Sequence, residues 1–489
     1  MTVDTLLFVS LTSLKVLPFG KTKTFFVFRS LIRTFAYQMA LNMDIKELYQ
    51  LYQQHPCITT DSRDCPEGSI FLALKGESFN GNQFALQALE KGCAYAIVDE
   101  DINDSSPLAG RLIKVDNCLQ TFKDLAREHR RQFNIPVIAI TGTNGKTTTK
   151  ELVATVLSEK YNVLYTQGNF NNDVGVPKTL FRLNKEHDIA VVEMGASHPG
   201  DIKTLVETTE PTCGIITNVG RAHLQGFGSF EGVKNTKGEL YDFLAAQQGE
   251  NFEKGMVFIN EDDDNLRQMA DDRGLIFRSA YGTGNSEEII VKGKVISCAP
   301  LLKFQWLIHD EEEGDSEPFI VQTNLIGSYN IYNMLAAIAI GLFFDVNIPQ
   351  INHALANYVP TNNRSQLEET AHNHLIVDAY NANPTSMAAA LKNFRDMDVT
   401  PKMAIMGDMR ELGDVSAEEH QHAVDMMKEY GLKDIWLVGE EFGKTDCNYR
   451  KFKNVEEVKA AITEEKPEGY YILIKGSNGI KLFQLPEML

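Results

Sequence analysis

Positive charge is what this 489-residue sequence has in shortest supply: 47 Lys and Arg stand against 66 Asp and Glu, a formal net charge of −19. A surface that grips a nucleic-acid backbone needs the opposite balance, so no nucleic-acid partner is expected. A cysteine pattern is also missing. The seven cysteines, at 57, 65, 93, 118, 213, 298 and 447, are odd in number and none has C-x-x-C or zinc-ligand spacing. Reduced thiols in a cytoplasmic protein are the simplest account. Long apolar runs are absent from residues 1–42, where the stretches 6–14 and 25–28 are too short and interrupted to span a bilayer. That segment carries Lys15, Lys21, Lys23, Arg29 and Arg33 against the single acid Asp4, and its basic residues follow the first apolar run instead of preceding it. No small-residue cleavage site completes a signal peptide there. A dispensable extension is expected, with Met43 opening the first domain and no membrane insertion. Neither internal repeats nor low-complexity linkers occur, and the length exceeds what one core supports, so two to four domains are expected.

What is present begins with the stretch 135–149. The β-favouring residues Val137 to Ile140 break into Thr141-Gly-Thr-Asn-Gly-Lys-Thr-Thr148, and a helical pattern follows with Leu152, Val153, Val156 and Leu157 on one face. Strand, glycine loop and helix form the context of a phosphate cradle: backbone N–H groups turn inward and the helix N-terminus adds partial positive charge. Lys146 is placed to reach the β- and γ-phosphates, and the Thr147 hydroxyl suits Mg²⁺. The first glycine of G-x-x-x-x-G-K-T is missing, because Ile140 occupies its place. The shorter form still predicts ATP binding through Gly142, Thr143, Asn144, Gly145, Lys146, Thr147 and Thr148.

Around this loop the chain reads as three α/β domains. In 43–133, strand-like runs at 69–74, 94–98 and 112–115 with a helical stretch at 84–91 predict a small mixed α/β domain. In 134–323, apolar strands at 137–140, 189–192, 214–217 and 257–259 alternate with helical segments, the pattern of a parallel sheet. Glu193, Asn218 and Asn260 follow strand ends, where such sheets bind ligands. Residues 288–326 read as antiparallel strands, with the acidic run 310–317 as a solvated hairpin turn. In 324–489, an apolar helix at 331–344 precedes strands at 375–377, 403–406, 435–438 and 470–474. That predicts a Rossmann-like doubly wound domain, although G-x-G-x-x-G is absent.

Phosphoryl transfer needs charge neutralisation at the γ-phosphate and a positioned nucleophile. Thr147 and Glu193 supply hard oxygens for one Mg²⁺. His223 alone is more often a structural hydrogen-bonder, Lys237 alone a helix-surface lysine, and the turn Asp378-Ala-Tyr-Asn-Ala-Asn-Pro384 alone only a turn.

Together these strings resemble the Mur ligases, the ATP-dependent enzymes that build the peptidoglycan precursor. The resemblance runs from about residue 58 to 479. It is carried by Gly142-Thr-Asn-Gly-Lys-Thr-Thr-Thr149, Gly168-Asn-Phe-Asn-Asn-Asp-Val-Gly-Val-Pro177, Glu193-Met-Gly-Ala196, Ala222-His-Leu224 and Lys237-Gly-Glu239. The last domain adds Asp378-Ala-Tyr-Asn-Ala-Asn-Pro-Thr-Ser-Met387, Met406-Gly-Asp-Met-Arg-Glu-Leu-Gly413 and Lys475-Gly-Ser-Asn-Gly479. The Asn-Ala-Asn-Pro and Gly-Asp-Met-x-Glu-Leu-Gly strings resemble the branch that joins D-alanyl-D-alanine to UDP-N-acetylmuramoyl-tripeptide, and the D-N-P-R string of the preceding ligase is absent.

The resemblance implies roles that spacing does not. It directs Ser62, Arg63 and Lys75 to the UDP-sugar, and Asn169, Asn171, Asn172, Asn381 and Asn383 to substrate. Asn330, Arg364 and Asp378 are implied as third-domain residues that reach the nucleotide. Glu193 and His223 become metal ligands beside Thr147, and Lys237 a carbamylated lysine holding a second Mg²⁺, so that Lys146, Lys237 and His223 form the implied catalytic set. Two positions depart from the family: Tyr329 precedes Asn330 where His is usual, and Asn82 follows Gly81 where His is usual. The expected enzyme is a cytoplasmic monomer using ATP and Mg²⁺. Its rivals are a folyl-polyglutamate-type ligase, whose phosphate loop lies near the N-terminus, and a nucleotide-switch module without ligase chemistry.

Overall fold

A computed structural model describes residues 43–76, 78–102, 106–249, 254–361, 364 and 366–489. The proposed extension 1–42 lies outside the described residues. Two compact units divide the chain between Glu128 and His129. No helix among the described residues is long and apolar enough to cross a membrane.

The first unit holds a parallel sheet in the order β1 (Ile58–Thr59), β2 (Ile70–Leu72), β3 (Tyr95–Val98), β4 (Leu112–Lys114). A helix, Ile45–Gln54, opens it. Asp44 accepts from the Lys46 and Glu47 N–H groups while Glu47 reaches back to the Asp44 N–H, a reciprocal cap that starts the helix where Met43 ends.

In the second unit, β5 (Val137–Thr141), β6 (Val163–Tyr165), β7 (Ile189–Glu193), β8 (Cys213–Ile216), β9 (Met256–Asn260), β10 (Arg278–Gly282) and β11 (Ile289–Cys298) run parallel in the order 11-10-9-8-5-7-6. The chain then turns back on itself. β12 (Leu301–Asp310) pairs antiparallel with β11, β13 (Gly314–Asp315) and β14 (Phe319–Ile326), and the acidic run lies at this hairpin as predicted. β5 is the switch point, with β7 and β8 on either side, and its carboxyl end is where ligands bind in such sheets.

The third sheet has the order β15 (Gln366–Glu369), β16 (His374–Asp378), β20 (Tyr471–Lys475), β17 (Lys402–Gly407), β18 (Asp434–Val438), β19 (Arg450–Phe452), with only β15 antiparallel. Its strands obey a strict period of two. Ile376, Ala404, Met406, Ile435, Leu437 and Leu473 join one core with the helices Pro384–Asp396 and Ser416–Glu429. Leu375, Val377, Met403, Ile405, Ile472 and Ile474 join another with the helix Val455–Glu464. Burial on both faces is what a doubly wound sheet requires.

Packing among the described residues bears on both expected domain boundaries, 133/134 and 323/324. The helix Cys118–Arg130 ends before 133/134, and the two compact units divide within it, at Glu128/His129: in the second unit His129 Nε2 bonds the Leu183 carbonyl at 3.0 Å and Arg130 bonds the Thr209 carbonyl at 3.2 Å. The second boundary, set at 323/324, cuts through a core. The helices Ile331–Phe343 and Ile348–Asn357 bury Met334, Leu335, Ile338, Ile351 and Leu355 with Leu152, Val156 and Phe258 of the central sheet. Those helices belong to the central domain, and the third begins beyond residue 358. The uniformly apolar sequence 331–344 gives no polar face to tell which sheet it covers.

Candidate active site

The phosphate loop is held rigid from below and from the side. Gly142 adopts φ +143°, and a Cβ there would lie 2.0 Å from Thr217 Oγ1; Gly145 adopts φ +81°, with Asn333 Oδ1 at 2.8 Å from its virtual Cβ. Side chains larger than glycine would break both contacts. Thr217 Oγ1 donates to the Asn144 carbonyl at 2.6 Å, and Asn218 accepts from the Asn144 N–H at 3.0 Å. Asn333, a residue absent from the predicted site, accepts from Thr149 Oγ1 at 3.1 Å and donates to Asn330 Oδ1 at 2.7 Å. Asn330 in turn donates to the Ile326 carbonyl at 2.7 Å and is 2% exposed. It therefore supports the loop from within the central core and is not a third-domain residue. Two asparagines three apart in an otherwise apolar helix were the available signal for Asn333.

Lys146 Nζ donates to the carbonyls of Gly142 at 2.7 Å and Thr143 at 3.0 Å. Burial pulls its pKa down to about 8, with Glu193 opposing the shift and Arg364 adding to it. The Arg364 guanidinium lies 4.1 Å over the Tyr380 ring.

Thr147 and Glu193 meet, Thr147 Oγ1 donating to Glu193 Oε1 at 3.1 Å, and Asn171 Nδ2 donates to the same oxygen at 2.8 Å. Glu193 is 1% exposed and its Oε2 is buried without a hydrogen-bond partner. A buried carboxylate oxygen with an unused lone pair fits a hard cation.

Lys237 lies on the helix Phe230–Ala245 and is buried. Among the described residues its ammonium meets no hydrogen-bond or ion-pair partner and lies 5.7 Å over the Phe227 ring. Burial, then the charge of Lys146, pushes its pKa well below the ordinary lysine value. Glu239, the partner that would have made it an ordinary surface lysine, is used elsewhere: its carboxylate accepts from the Gly200 and Lys203 N–H groups at the start of the helix Asp201–Thr209. His223, in a left-handed conformation at φ 51°, pairs through Nδ1 with Glu411 of the third domain. Burial lowers its pKa first of all, and Glu411 works against that shift.

The other predicted positions divide. Asn383 Nδ2 donates to Asn144 Oδ1 at 2.8 Å, joining the helix Pro384–Asp396 to the tip of the phosphate loop. Asn172 caps the helix Gly175–Leu180 through the Gly175 N–H at 2.8 Å, and Asn169 is exposed with its carbonyl accepting from the Asn171 N–H. Asp378 pairs with the fully buried Lys475 at 2.6 Å, and Lys475 also bonds the carbonyl of the exposed Asn381. In the first unit, Arg63 pairs with its neighbour Asp61, the Ser62 carbonyl accepts from Lys91, and Lys75 pairs with Asp99 and Glu100. Asn260 is held in its own turn, its side-chain oxygen accepting from the Asp262 N–H and its carbonyl from the Asp263 N–H, both at 3.2 Å.

A cavity of 910 Å³ opens at the carboxyl end of the third sheet, lined by Asp408 to Gly413, Gly439 to Glu441, Lys453, Gly479 and Lys481, with Gln225 from the central domain. Asp408 is not free there: it accepts from the Glu441 and Phe442 N–H groups and so shapes the wall. Arg410 is held by its N–H on Ser477 Oγ at 3.0 Å, and its guanidinium lies against Gly479, where a Cβ would meet Arg410 Cζ at 2.8 Å. Among the described residues, the charged ends of Arg410, Lys453 and Lys481 have no ion pair. The phosphate cradle at one sheet's switch point is thus followed by a cavity at the next, whose lining mixes Arg410, Lys453 and Lys481 with Asp408, Glu411, Glu440, Glu441 and Glu456.

Comparison with known proteins agrees. Three family models match: the Mur ligase family catalytic domain over residues 56–130, the Mur ligase middle domain over 140–341 and the Mur ligase glutamate ligase domain over 363–478. The UDP-N-acetylmuramoyl-tripeptide–D-alanyl-D-alanine ligase of Escherichia coli is 35% identical, covering 78% of this chain and 81% of its own. A crystal structure of MurF from Acinetobacter baumannii superposes with a TM-score of 0.77 at 30% identity, covering 89% of this chain and 96% of that one. MurF from Thermotoga maritima, solved in complex with ADP, gives 0.76 at 25% identity over 88% and 96%. The chain belongs to the Mur ligase family and is an ATP-dependent ligase.

Proposed function

We propose that this ligase joins D-alanyl-D-alanine to UDP-N-acetylmuramoyl-tripeptide through an acyl phosphate, and that it works as a cytoplasmic monomer without membrane insertion. The tripeptide's terminal carboxylate attacks the γ-phosphate of ATP. The dipeptide amine then attacks the acyl phosphate, giving the pentapeptide, ADP and phosphate. The observation that carries the reading is the cavity, whose wall is the Gly407-Asp-Met-Arg-Glu-Leu-Gly413 string of that branch and whose free cations suit a dipeptide carboxylate.

The backbone N–H groups from Gly142 to Thr148 cradle the phosphates, and Lys146 leaves its two loop carbonyls to meet the transferring group. Arg364 adds positive charge on the same side. Thr147, Glu193 and His223 are the residues that would hold Mg²⁺, with the orphaned Glu193 Oε2 as the strongest sign. Bound there, Mg²⁺ would neutralise phosphate charge as it develops. Lys237 is read as a carbamate: its neutral amine adds to the carbon of CO₂ and releases one proton to water, leaving an anionic oxygen for a second Mg²⁺. The partnerless environment and the depressed pKa both favour the neutral amine this requires. Ser62, Arg63 and Lys75 hold the UDP-sugar; Asn169, Asn171, Asn172, Asn381 and Asn383 line the path of the reacting carboxylate or fix the loops that do.

The test is ADP release. It is expected only when UDP-N-acetylmuramoyl-tripeptide and D-alanyl-D-alanine are both present, and not with L-alanyl-L-alanine, which misplaces the attacking amine. Repeated turnover of ATP to ADP without the dipeptide, or equal use of both isomers, overturns the reading.

A further inference from the structure

Asn82 stands at the centre of a polar network in the first unit that the chemistry above does not use. It is 4% exposed and makes three hydrogen bonds: Nδ2 donates to Asp99 Oδ1 at 2.8 Å and to Asn80 Oδ1 at 2.9 Å, and Oδ1 accepts from the Asp99 N–H at 3.0 Å. Asp99 also takes the Cys118 N–H at 3.2 Å and the Lys75 ammonium at 2.9 Å. Lys75 bonds Glu100 at 3.0 Å, and Glu100 is itself held by Asn80 Nδ2. Backbone contacts lock the same two loops together. The Gly81 N–H donates to the Leu74 carbonyl at 2.9 Å, Lys75 bridges Asn80, and a Cβ on Gly81 would come within 2.4 Å of Leu74 O.

The chemistry of the amide explains why asparagine serves here. It offers two N–H donors and a carbonyl in one plane, whereas a neutral imidazole offers one donor and one acceptor. Asn82 therefore makes one bond more than a histidine at this position could. Removing it would leave the Asp99 N–H without its acceptor and strip one donor from a carboxylate whose side chain is only 10% exposed. Unpaired buried groups of this kind relax by moving. The ammonium of Lys75 has three N–H donors; Asp99 and Glu100 take two and leave one for an incoming oxygen.

We propose that Asn82 is a positioning residue for the nucleotide-sugar: through Asp99 it fixes the Lys75 ammonium so that its remaining N–H meets a diphosphate oxygen. The proposal rests on the reading of Lys75 as a UDP-sugar contact. Hydrogen bonds in a connected network support one another, so loss at Asn82 should be felt at Lys75 through Asp99.

The experiment is steady-state kinetics on the full chain, with KM measured separately for UDP-N-acetylmuramoyl-tripeptide, ATP and D-alanyl-D-alanine, in Asn82→Ala, Lys75→Ala and the double variant. Asn82→Ala should raise the KM for the nucleotide-sugar on the order of tenfold and leave the other two KM values and kcat within about twofold. The double variant should be no worse than Lys75→Ala alone, because Asn82 acts only through Lys75. Asn82→His, which retains one donor to Asp99, should fall between wild type and Asn82→Ala, and it serves as the probe if Asn82→Ala does not fold. A nucleotide-sugar KM unchanged in both Asn82 variants overturns the proposal, as does a double variant whose effect is the product of the singles. An unchanged KM in Lys75→Ala instead removes the contact on which the proposal rests.

Discussion

The carboxyl ends of the central and third sheets carry two polar clusters that differ in how far their charges are already paired. Around the phosphate loop almost every polar atom has a partner before any ligand arrives: Lys146 holds loop carbonyls, Thr147 holds Glu193, and Asn144 is pinned by Thr217, Asn218 and Asn383. In the cavity of the third sheet the cations Arg410, Lys453 and Lys481 are left without ion pairs among the described residues, while of the acids in the same wall Asp408 is spent on the N–H groups of Glu441 and Phe442, and Glu411, Glu441 and Glu456 pair with His223, Lys444 and Lys459. The difference follows from what each must bind. A triphosphate needs donors pre-aimed in fixed geometry, whereas a small dipeptide is selected by charges that stay open until its carboxylate arrives. Lys237 and Glu193 Oε2 are exceptions within the central cluster, both buried and without a polar partner among the described residues.

The comparison breaks most visibly if the pre-paired cluster can lose a member without consequence. Lys146→Ala is expected to fold normally, judged by an unchanged melting temperature, and to lose on the order of 10²–10³ in turnover, about 3–4 kcal/mol of transition-state stabilisation. Near-native ADP release from this variant would remove the loop from the mechanism.

Lys237→Ala sharpens one of the exceptions. It should be nearly inactive and regain activity with acetate or propionate, which place a carboxylate where the carbamate stood. Recovery with small amines and not with carboxylates would identify Lys237 as a cation.

The open cluster predicts a smaller and more selective effect. Arg410→Ala should raise the KM for D-alanyl-D-alanine about tenfold or more, the worth of one charge-assisted hydrogen bond, with the KM for UDP-N-acetylmuramoyl-tripeptide unchanged. Equal rises in both would deny the cavity a specific acceptor.

The smallest effect concerns stability. Asp99 is held below the ordinary 3.8 by the hydrogen bonds of Lys75, Asn82 and Cys118, which together outweigh its burial. A depressed carboxylate stabilises the fold above its unfolded pKa and loses that contribution as pH falls through the folded one. Melting temperatures followed downward from pH 6 should therefore drop less steeply below pH 4 in Asp99→Asn than in the native chain. Identical slopes would mean the network carries no stability.

Local chemistry accounts for what could be read early. The phosphate loop was legible because its glycines, lysine and threonine act within eight consecutive residues, and a strand-to-helix junction needs little tertiary help to become an anion site. The strands of the third sheet were legible because burial on both faces leaves unbroken apolar runs. Asn82 was visible as a departure, but its three partners lie at residues 80 and 99, and no spacing rule joins them.

Sequence by itself determined the cradle, the order of the three α/β domains and the family strings, because each is written in contiguous residues whose backbone preferences and side-chain chemistry act locally. Tertiary structure alone decided that the helix Ile331–Phe343 packs in the central core, that Asn330 and Asn333 brace the loop, that Glu239 caps a helix instead of pairing Lys237, and that Glu411 meets His223. An apolar helix buries equally well against either sheet, and a carboxylate pairs with whichever donor the fold brings near. Only the packing of distant segments breaks those ties.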